Sequence, residues 1–159
     1  FFEERLAPKM LKKLGILRDV EPQDMDLVRR WLHYLEAEQL DYTLSFRNFA
    51  TLVENDDDFS FFERTSTFQD FYQSWQKRVQ NQDLDTETVK REMNRVNPVF
   101  IPRNHKIEQV IEAGLRGDFS LFHEMNEVLE KPYEEQEEFS SYKLPPRPEE
   151  VVKATFCGT

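Results

Sequence analysis

Apolar residues recur at intervals of three and four along most of the chain, and this spacing places them on one face of an α-helix. No run alternates between apolar and polar residues convincingly enough to predict a strand. The sequence therefore predicts an all-α fold of about six helices. Their apolar positions fall into these sets: Phe2, Leu6, Met10 and Leu14; Val28, Trp31, Leu32 and Leu35; Tyr42, Phe46, Phe49 and Val53; Phe68, Phe71, Tyr72, Trp75 and Val79; Val89, Met93 and Val96; Ile107, Val110, Ile111 and Leu115; Leu121, Phe122, Met125, Val128 and Leu129. The second and third sets belong to one long helix or to two helices broken near Asp41.

The helix boundaries are marked by residues that favour caps and turns. Gly15 fits a C-terminal cap, because glycine readily adopts the left-handed backbone conformation that ends many helices. Asp85 and Asp118 are each placed to cap the helix that follows. Asn97-Pro98 ends a helix, because the residue before a proline avoids the helical region.

The character of the sequence changes after Lys131. Residues 1–131 carry the helical pattern and are predicted to form a helical domain. Residues 132–159 are acidic and rich in proline, and they contain the single cysteine, Cys157. We expect them to form an extended tail that is laid over the surface.

The 159 residues include 14 Phe, 5 Tyr and 2 Trp, an aromatic content that argues against disorder. The net charge is −10, from 31 acidic and 21 basic residues. Such a surface repels phosphate backbones and anionic headgroups, so we expect neither nucleic acid nor a membrane among the partners. No apolar run is long enough to span a bilayer. A single cysteine cannot form a disulfide within the chain and favours a reducing compartment.

Two groups of side chains have the chemistry of metal ligands. Residues 54–58, Glu-Asn-Asp-Asp-Asp, offer clustered carboxylates to a divalent cation. They lack the glycine and the terminal glutamate of a calcium loop, so a solvated loop is the preferred interpretation. The histidines His33, His105 and His123 are not paired at metal-ligand spacing, and one cysteine cannot complete a zinc set. We expect no metal site and no catalytic residue in either group.

The aromatic face that includes Trp75 has the chemistry to stack a ligand base, but its spacing matches one buried helix face. Core packing is therefore the preferred interpretation. Arg47 lies six residues after Asp41, so the two do not face each other on an ideal helix. We expect Arg47 to have a structural role and to reach a carboxylate or a carbonyl elsewhere.

The chain has only four glycines and contains no glycine-rich phosphate loop, no nucleophile elbow and no kinase motif. We therefore predict no catalytic, cofactor-binding or metal-binding residue in it, and no cofactor bound to it. The chain begins with Phe1 rather than Met and is already in helical register, so we interpret it as a piece of a longer protein.

Several islands of sequence resemble the end of the selenoprotein O family, and their order and spacing cover nearly the whole chain. The islands are Arg5-Leu6 through Lys12-Lys13-Leu14-Gly15; Asp41-Tyr42-Thr43 with Phe46-Arg47; Asn97 through Asn104; Ile107 to Gly114, followed by Gly117-Asp118-Phe119; Lys131 through Gln136; and Tyr142 with Pro145-Pro146 and Cys157. The segment from Asn97 to Asn104 and the cysteine near the end are the most specific of them.

The resemblance implies a parent protein with a kinase-like fold that holds ATP in an inverted orientation and transfers AMP to hydroxyl side chains of proteins. It implies Mg²⁺ or Mn²⁺ as the metal, and cytoplasmic location in bacteria or mitochondrial location in eukaryotes. The family's nucleotide- and metal-binding residues lie N-terminal to the matched region, so none is carried onto this chain. The partners implied are the N-terminal kinase-like domain of the same protein and the protein substrates of the parent.

Cys157 is the one candidate for chemistry. The family places cysteine or selenocysteine third from the end, which implies a redox link to the catalytic part; an inert terminal thiol is the alternative. This chain ends Cys157-Gly158-Thr159, where the family usually has two serines after the cysteine. Our leading hypothesis is a helical C-terminal region that packs on and supports a kinase-like core. The rival hypothesis is a free-standing helical module that binds a partner helix.

Overall fold

The computed structural model describes residues 2–54 and 58–152, with side chains from Leu6 onward. Within these ranges the backbone forms helices and no strand, which confirms the predicted all-α fold. The α-helices are α1 (Phe2–Lys13), α2 (Asp24–Ala37), α3 (Tyr42–Phe49), α4 (Ser66–Gln80), α5 (Thr86–Asn94), α6 (Asn104–Leu115), α7 (Ser120–Glu130) and α8 (Ser140–Lys143). Short 3₁₀ helices span Ala50–Val53, Glu137–Phe139 and Pro148–Glu150.

The chain divides by its contacts into two compact units, Phe1–Asn97 and Pro98–Thr159. The boundary follows α5 closely, at the proline that was predicted to end a helix. The division of the sequence into a helical domain and a tail at residue 131 is drawn from composition rather than from contacts, and it stays a prediction.

The core of the first unit is built from aromatic side chains. The Trp31 ring is fully buried. Its centroid lies within 5.8 Å of five other aromatic rings, those of Tyr34, Phe46, Phe49, Phe62 and Phe71. The face of α4 that includes Trp75 is buried in the same core, which confirms its interpretation as packing rather than as a ligand platform.

Side-chain caps fix where several helices of the first unit begin. Asp41 accepts a hydrogen bond from the backbone N–H of Leu44 at 2.8 Å, and Asp85 accepts one from Thr88 at 2.7 Å. Each bond satisfies a donor that the first turn of a helix leaves free. The apolar sets on either side of Asp41 therefore belong to two helices, α2 and α3, and not to one long helix.

The turn after α1 is held by a buried glutamine. The Gln82 side chain is 2% exposed, and its Oε1 accepts hydrogen bonds from the backbone N–H groups of Leu17 (2.5 Å) and Arg18 (3.0 Å). Its Nε2 donates to the Gly15 carbonyl at 2.8 Å. One amide thus satisfies three backbone groups that lie outside any helix, where an unpaired buried group would be costly.

The second unit pairs α6 with α7 over a small core of Val99, Phe100, Val128 and Tyr142. The backbone N–H groups of Val99 and Phe100 both donate to the Pro132 carbonyl, at 2.8 and 3.1 Å. The described part of the predicted extended tail, residues 132–152, contains α8 and two of the 3₁₀ helices. It is folded into short helical turns there because the buried Tyr142 ring anchors it.

Gly15 ends α1 with a φ of +74°, and a Cβ at this position would lie 2.8 Å from both Met93 Sδ and Val89 Cγ1. We expect Gly15→Ala to lower the free energy of unfolding of the first unit by about 2–3 kcal/mol. Left-handed backbone costs alanine about 1–2 kcal/mol, and the contact with the β-branched Val89 adds to this. Urea unfolding followed by tryptophan fluorescence measures the loss, because both tryptophans lie in this unit.

Gly117→Ala is the matched comparison. Gly117 also has a positive φ, +82°, but nothing lies within 4 Å of its Cβ position. Its substitution should carry the conformational cost alone, measured as the loss of helical ellipticity in the same titration. Equal costs for the two substitutions would show that the contacts of Gly15 with α5 contribute nothing.

Candidate functional site

Polar residues from three of the family-like islands meet in one place, although the sequence did not predict that they would. We call this place the Asn97 cluster; it contains Lys13, Tyr42, Phe46, Arg47 and Asn97. The Asn97 side chain is fully buried. Its Nδ2 donates to the Lys13 carbonyl at 2.9 Å, and its Oδ1 accepts from Lys13 Nζ at 3.0 Å. Lysine and asparagine therefore satisfy each other across 84 positions of sequence.

The Lys13 ammonium is partly buried. It donates a further hydrogen bond to the Val96 carbonyl at 3.1 Å. It also lies over two aromatic faces, 5.1 Å from the Phe46 centroid and 5.8 Å from that of Tyr42, within the range of cation–π attraction. Burial lowers the pKa of Lys13 below its ordinary value, because the charged form loses hydration.

Arg47 reaches backbone carbonyls, as the sequence predicted. Its Nη1 donates to the Asn97 carbonyl at 3.3 Å and to the Asn94 carbonyl at 3.4 Å. The Asn94 carbonyl belongs to the last residue of α5 and the Asn97 carbonyl lies just beyond the helix, where carbonyl groups have no partner within it. Arg47 therefore caps α5 from α3.

The hydrogen bonds of Lys13, Arg47 and Asn97 described above all join groups of the chain itself. Lys13 brings in the end of α1, Arg47 brings in α3, and Asn97 brings in the segment after α5. The arrangement fixes three segments relative to one another, and its donors and acceptors are occupied in doing so. Its chemistry is that of a structural joint rather than of a catalytic centre.

Of the three histidines, only His105 is buried; His33 and His123 are exposed. His105 lies at the start of α6 and is 5% exposed. Burial lowers the pKa of His105 below 6.5, and the negative charge of Glu150 opposes that shift. The imidazole is therefore neutral near pH 7.

Glu150 is fixed by Arg147. Its Oε1 accepts from Arg147 Nη2 and its Oε2 from the Arg147 backbone N–H, both at 3.0 Å. These two bonds lower the pKa of Glu150 to about 2, and the bond from the Arg147 side chain has the larger effect. The carboxylate therefore stays charged beside His105 over the whole physiological range.

His105 and Glu150 line a groove of about 400 Å³ whose walls also carry Glu108, Glu112 and Glu149. Several carboxylates facing one groove repel a nucleotide's phosphates. Across residues 2–54 and 58–152, no three His, Cys, Asp or Glu side chains are placed to hold a metal ion.

Two of the features considered from the sequence lie wholly or partly outside the described part of the chain. Residues 55–57 of the acidic run are not described, while Glu54 forms an ion pair with Lys90 at its edge. Cys157 lies beyond residue 152, so its redox role stays a prediction.

Sequence comparison places these islands in a known family. A family model described as "Protein adenylyltransferase SelO" matches residues 1–130. The chain belongs to this family. Curated relatives extend the similarity through the rest of the chain. A protein named "Protein nucleotidyltransferase YdiU" from Rhizobium etli is 37% identical over 163 residues, and one of the same name from Rhizobium johnstonii is 39% identical over 165 residues. A third, from Rhodopseudomonas palustris, is 37% identical over 163 residues.

These alignments cover nearly all of the chain but only part of each relative. Each includes 99% of this chain, whereas the chain spans 32% of the two Rhizobium proteins and 33% of the Rhodopseudomonas protein. Among the described residues, no helix combines the length and the apolar character needed to cross a bilayer.

Removal of the Asn97 side chain tests the Asn97 cluster. We expect Asn97→Ala to lower the free energy of unfolding of the first unit by about 1–3 kcal/mol, because it removes the donor to the Lys13 carbonyl and one of the acceptors of the Lys13 ammonium. Asn48→Ala is the control within the same unit. The Asn48 amide donates to Leu44 of its own helix, and we expect its loss to change stability by about 0.5 kcal/mol or less. Equal effects in urea unfolding would contradict a joint at Asn97.

The His105 environment predicts a pH dependence. The folded imidazole has a lower pKa than the unfolded one, so the unfolded chain binds more protons between the two values. The stability of the second unit should therefore decrease as the pH falls below about 6.5. Protonation of Glu150 lowers the stability in a separate pH range, from 4.5 down to about 2.

Nuclear magnetic resonance of the histidine Cε1–H signals measures the His105 titration, with His105→Gln to assign it. We expect a titration midpoint below 6.5 for His105. In His105→Gln, we expect no loss of stability specific to the second unit between pH 6.5 and 5. A midpoint at or above 6.5 would show that Glu150 outweighs burial.

Proposed function

We propose that this chain is the C-terminal, supporting part of a protein adenylyltransferase that transfers AMP from ATP to hydroxyl side chains of proteins. The observation that carries the proposal is the coverage of the relatives: nearly all of this chain aligns, and it accounts for about a third of their length. The family name supplies the reaction class. The remaining two thirds of the complete protein then contain the kinase-like catalytic domain.

The structure of the chain supports a role in stability rather than in chemistry. Lys13, Arg47 and Asn97 of the Asn97 cluster are engaged with one another or with backbone carbonyls. The groove beside His105 has acidic walls that disfavour nucleotide phosphates. ATP and Mg²⁺ or Mn²⁺ are therefore assigned to the catalytic domain of the complete protein, along with contacts to the protein substrates.

Two further points concern the cellular location and the alternative to a supporting role. We propose the cytoplasm for a bacterial form and the mitochondrion for a eukaryotic form. A free-standing module that binds a partner helix is the alternative. The reading frame upstream of Phe1 separates the two, because a supporting region requires kinase-like motifs there and a free-standing module requires a start codon.

The assay of the proposal compares this chain with the complete protein. We expect the complete protein to transfer labelled AMP from ATP to a protein acceptor in the presence of Mg²⁺ or Mn²⁺. The isolated chain should transfer none, and calorimetry with ATP and Mg²⁺ should detect no micromolar binding, because it lacks the groups that position phosphates. Transfer or micromolar binding by the isolated chain would overturn the assignment.

Asn97→Ala in the complete protein separates support from catalysis. A supporting region predicts a lower unfolding midpoint and an unchanged KM for ATP at low temperature, because no nucleotide contact is lost. A several-fold rise in KM for ATP at a temperature where the variant is folded would instead place this region in the nucleotide site.

A further inference from the structure

Four large apolar side chains are exposed together on the second unit. We call them the α6–α7 patch: Ile111 (49% exposed), Leu115 (84%), Phe119 (58%) and Phe122 (48%). Single exposed apolar residues are ordinary on protein surfaces, whereas contiguous groups of them mark interaction sites.

The four residues follow one another around the connection between the two helices. Ile111 and Leu115 are four apart on α6, so they lie on one face of it. Phe119 and Phe122 are three apart at the start of α7. A Cβ on Gly114 would lie 3.8 Å from Phe119 Cε1, so the Phe119 ring rests on the end of α6 beside Leu115.

Few residues of α6 and α7 are buried within the second unit. The fully buried residues of α6 are His105 and Ala113, and that of α7 is Val128. Helices of 11 or 12 residues are marginal in water unless an apolar face is buried against another element. Ile111 and Leu115, two of the three largest apolar side chains of α6, are instead exposed.

We propose that the α6–α7 patch is the surface by which this chain docks on the kinase-like part of the complete protein. This inference rests on the proposed function, which supplies a partner about twice the length of this chain. The patch exposes on the order of 400 Å² of apolar surface, estimated from the exposed fractions and typical side-chain areas. That is the apolar centre of an interface with a whole domain, where roughly 600–1,500 Å² is buried in total.

The charged residues around the patch suit such an interface. Glu112, Arg116 and Asp118 are exposed at its edge and carry both signs of charge, while the centre carries none. A polar rim around an apolar centre is the usual organisation of a specific protein interface. A membrane surface is disfavoured, because the chain has a net charge of −10 and anionic headgroups repel it.

Photo-crosslinking in the complete protein identifies what covers the patch. A benzophenone side chain replaces Leu115, and the same group at Leu144, which is 55% exposed and outside the patch, is the control. We expect the Leu115 position to crosslink to peptides from the kinase-like part and the Leu144 position to give a lower yield there. Crosslinks to residues 1–97 or to a second copy would overturn the proposal. The absence of any protein crosslink at Leu115 would overturn it as well.

A charge substitution tests whether the contact contributes to stability. Leu115→Asp in the complete protein should lower the unfolding midpoint by about 4 °C or more, because it buries an unpaired carboxylate at the interface. Leu144→Asp should shift it by about 1 °C or less. Equal shifts would show that Leu115 is exposed in the complete protein and would reject the docking surface.

The outcome is separable from the fate of the proposed function. If the complete protein transfers AMP and this chain does not, while Leu115 crosslinks elsewhere, the supporting role stands and the assigned surface is wrong. If the complete protein transfers no AMP but Leu115 crosslinks to its larger part, the docking surface stands and the reaction is wrong.

Discussion

Burial of the Trp31 ring is the contact on which the first unit depends. Helices of 8 and 9 residues, such as α3 and α5, are too short to be stable alone, so they require tertiary packing. Trp31 Nε1 is buried without a hydrogen-bond acceptor among the described residues, which costs about 1–3 kcal/mol. Burial of 150–250 Å² of indole stabilises by about 4–6 kcal/mol, so packing outweighs the unpaired donor.

The parts of this fold that sequence could predict are those that depend on local spacing. Intervals of three and four identify the buried face of α4, because a helix has 3.6 residues per turn. Asp85 is a predictable cap, since its carboxylate needs only the backbone three residues ahead. The sequence predicted that Arg47 binds a carbonyl or carboxylate oxygen, because a planar guanidinium donates well to such acceptors. It did not predict that the acceptors are the carbonyls of Asn94 and Asn97.

The Asn97 cluster depends on contacts that no local pattern encodes. Lys13 and Asn97 are 84 positions apart, and Gln82 and Gly15 are 67 apart. The packing of the helices decides which distant side chain lies beside a backbone carbonyl that has no partner in its own helix. An amide or ammonium group can bond to that carbonyl only in the packed structure. The resemblance to the family identified several of these residues without showing that they meet. The two divisions of the chain rest on different properties, since composition changes at residue 131 and contacts change at residue 97.

The two units therefore place their apolar and polar residues differently, and this difference bears on function. The first unit buries most of its described aromatic residues and satisfies the buried amides of Gln82 and Asn97 internally, so substitutions in its core act on stability. The second unit has a core of four buried apolar residues and leaves other large ones, including Phe119 and Leu115, exposed. Such a distribution is costly for a body that stays isolated in water and favourable for one that is covered. The proposed supporting role requires a surface of this kind, because a region can support a catalytic domain only by contact with it.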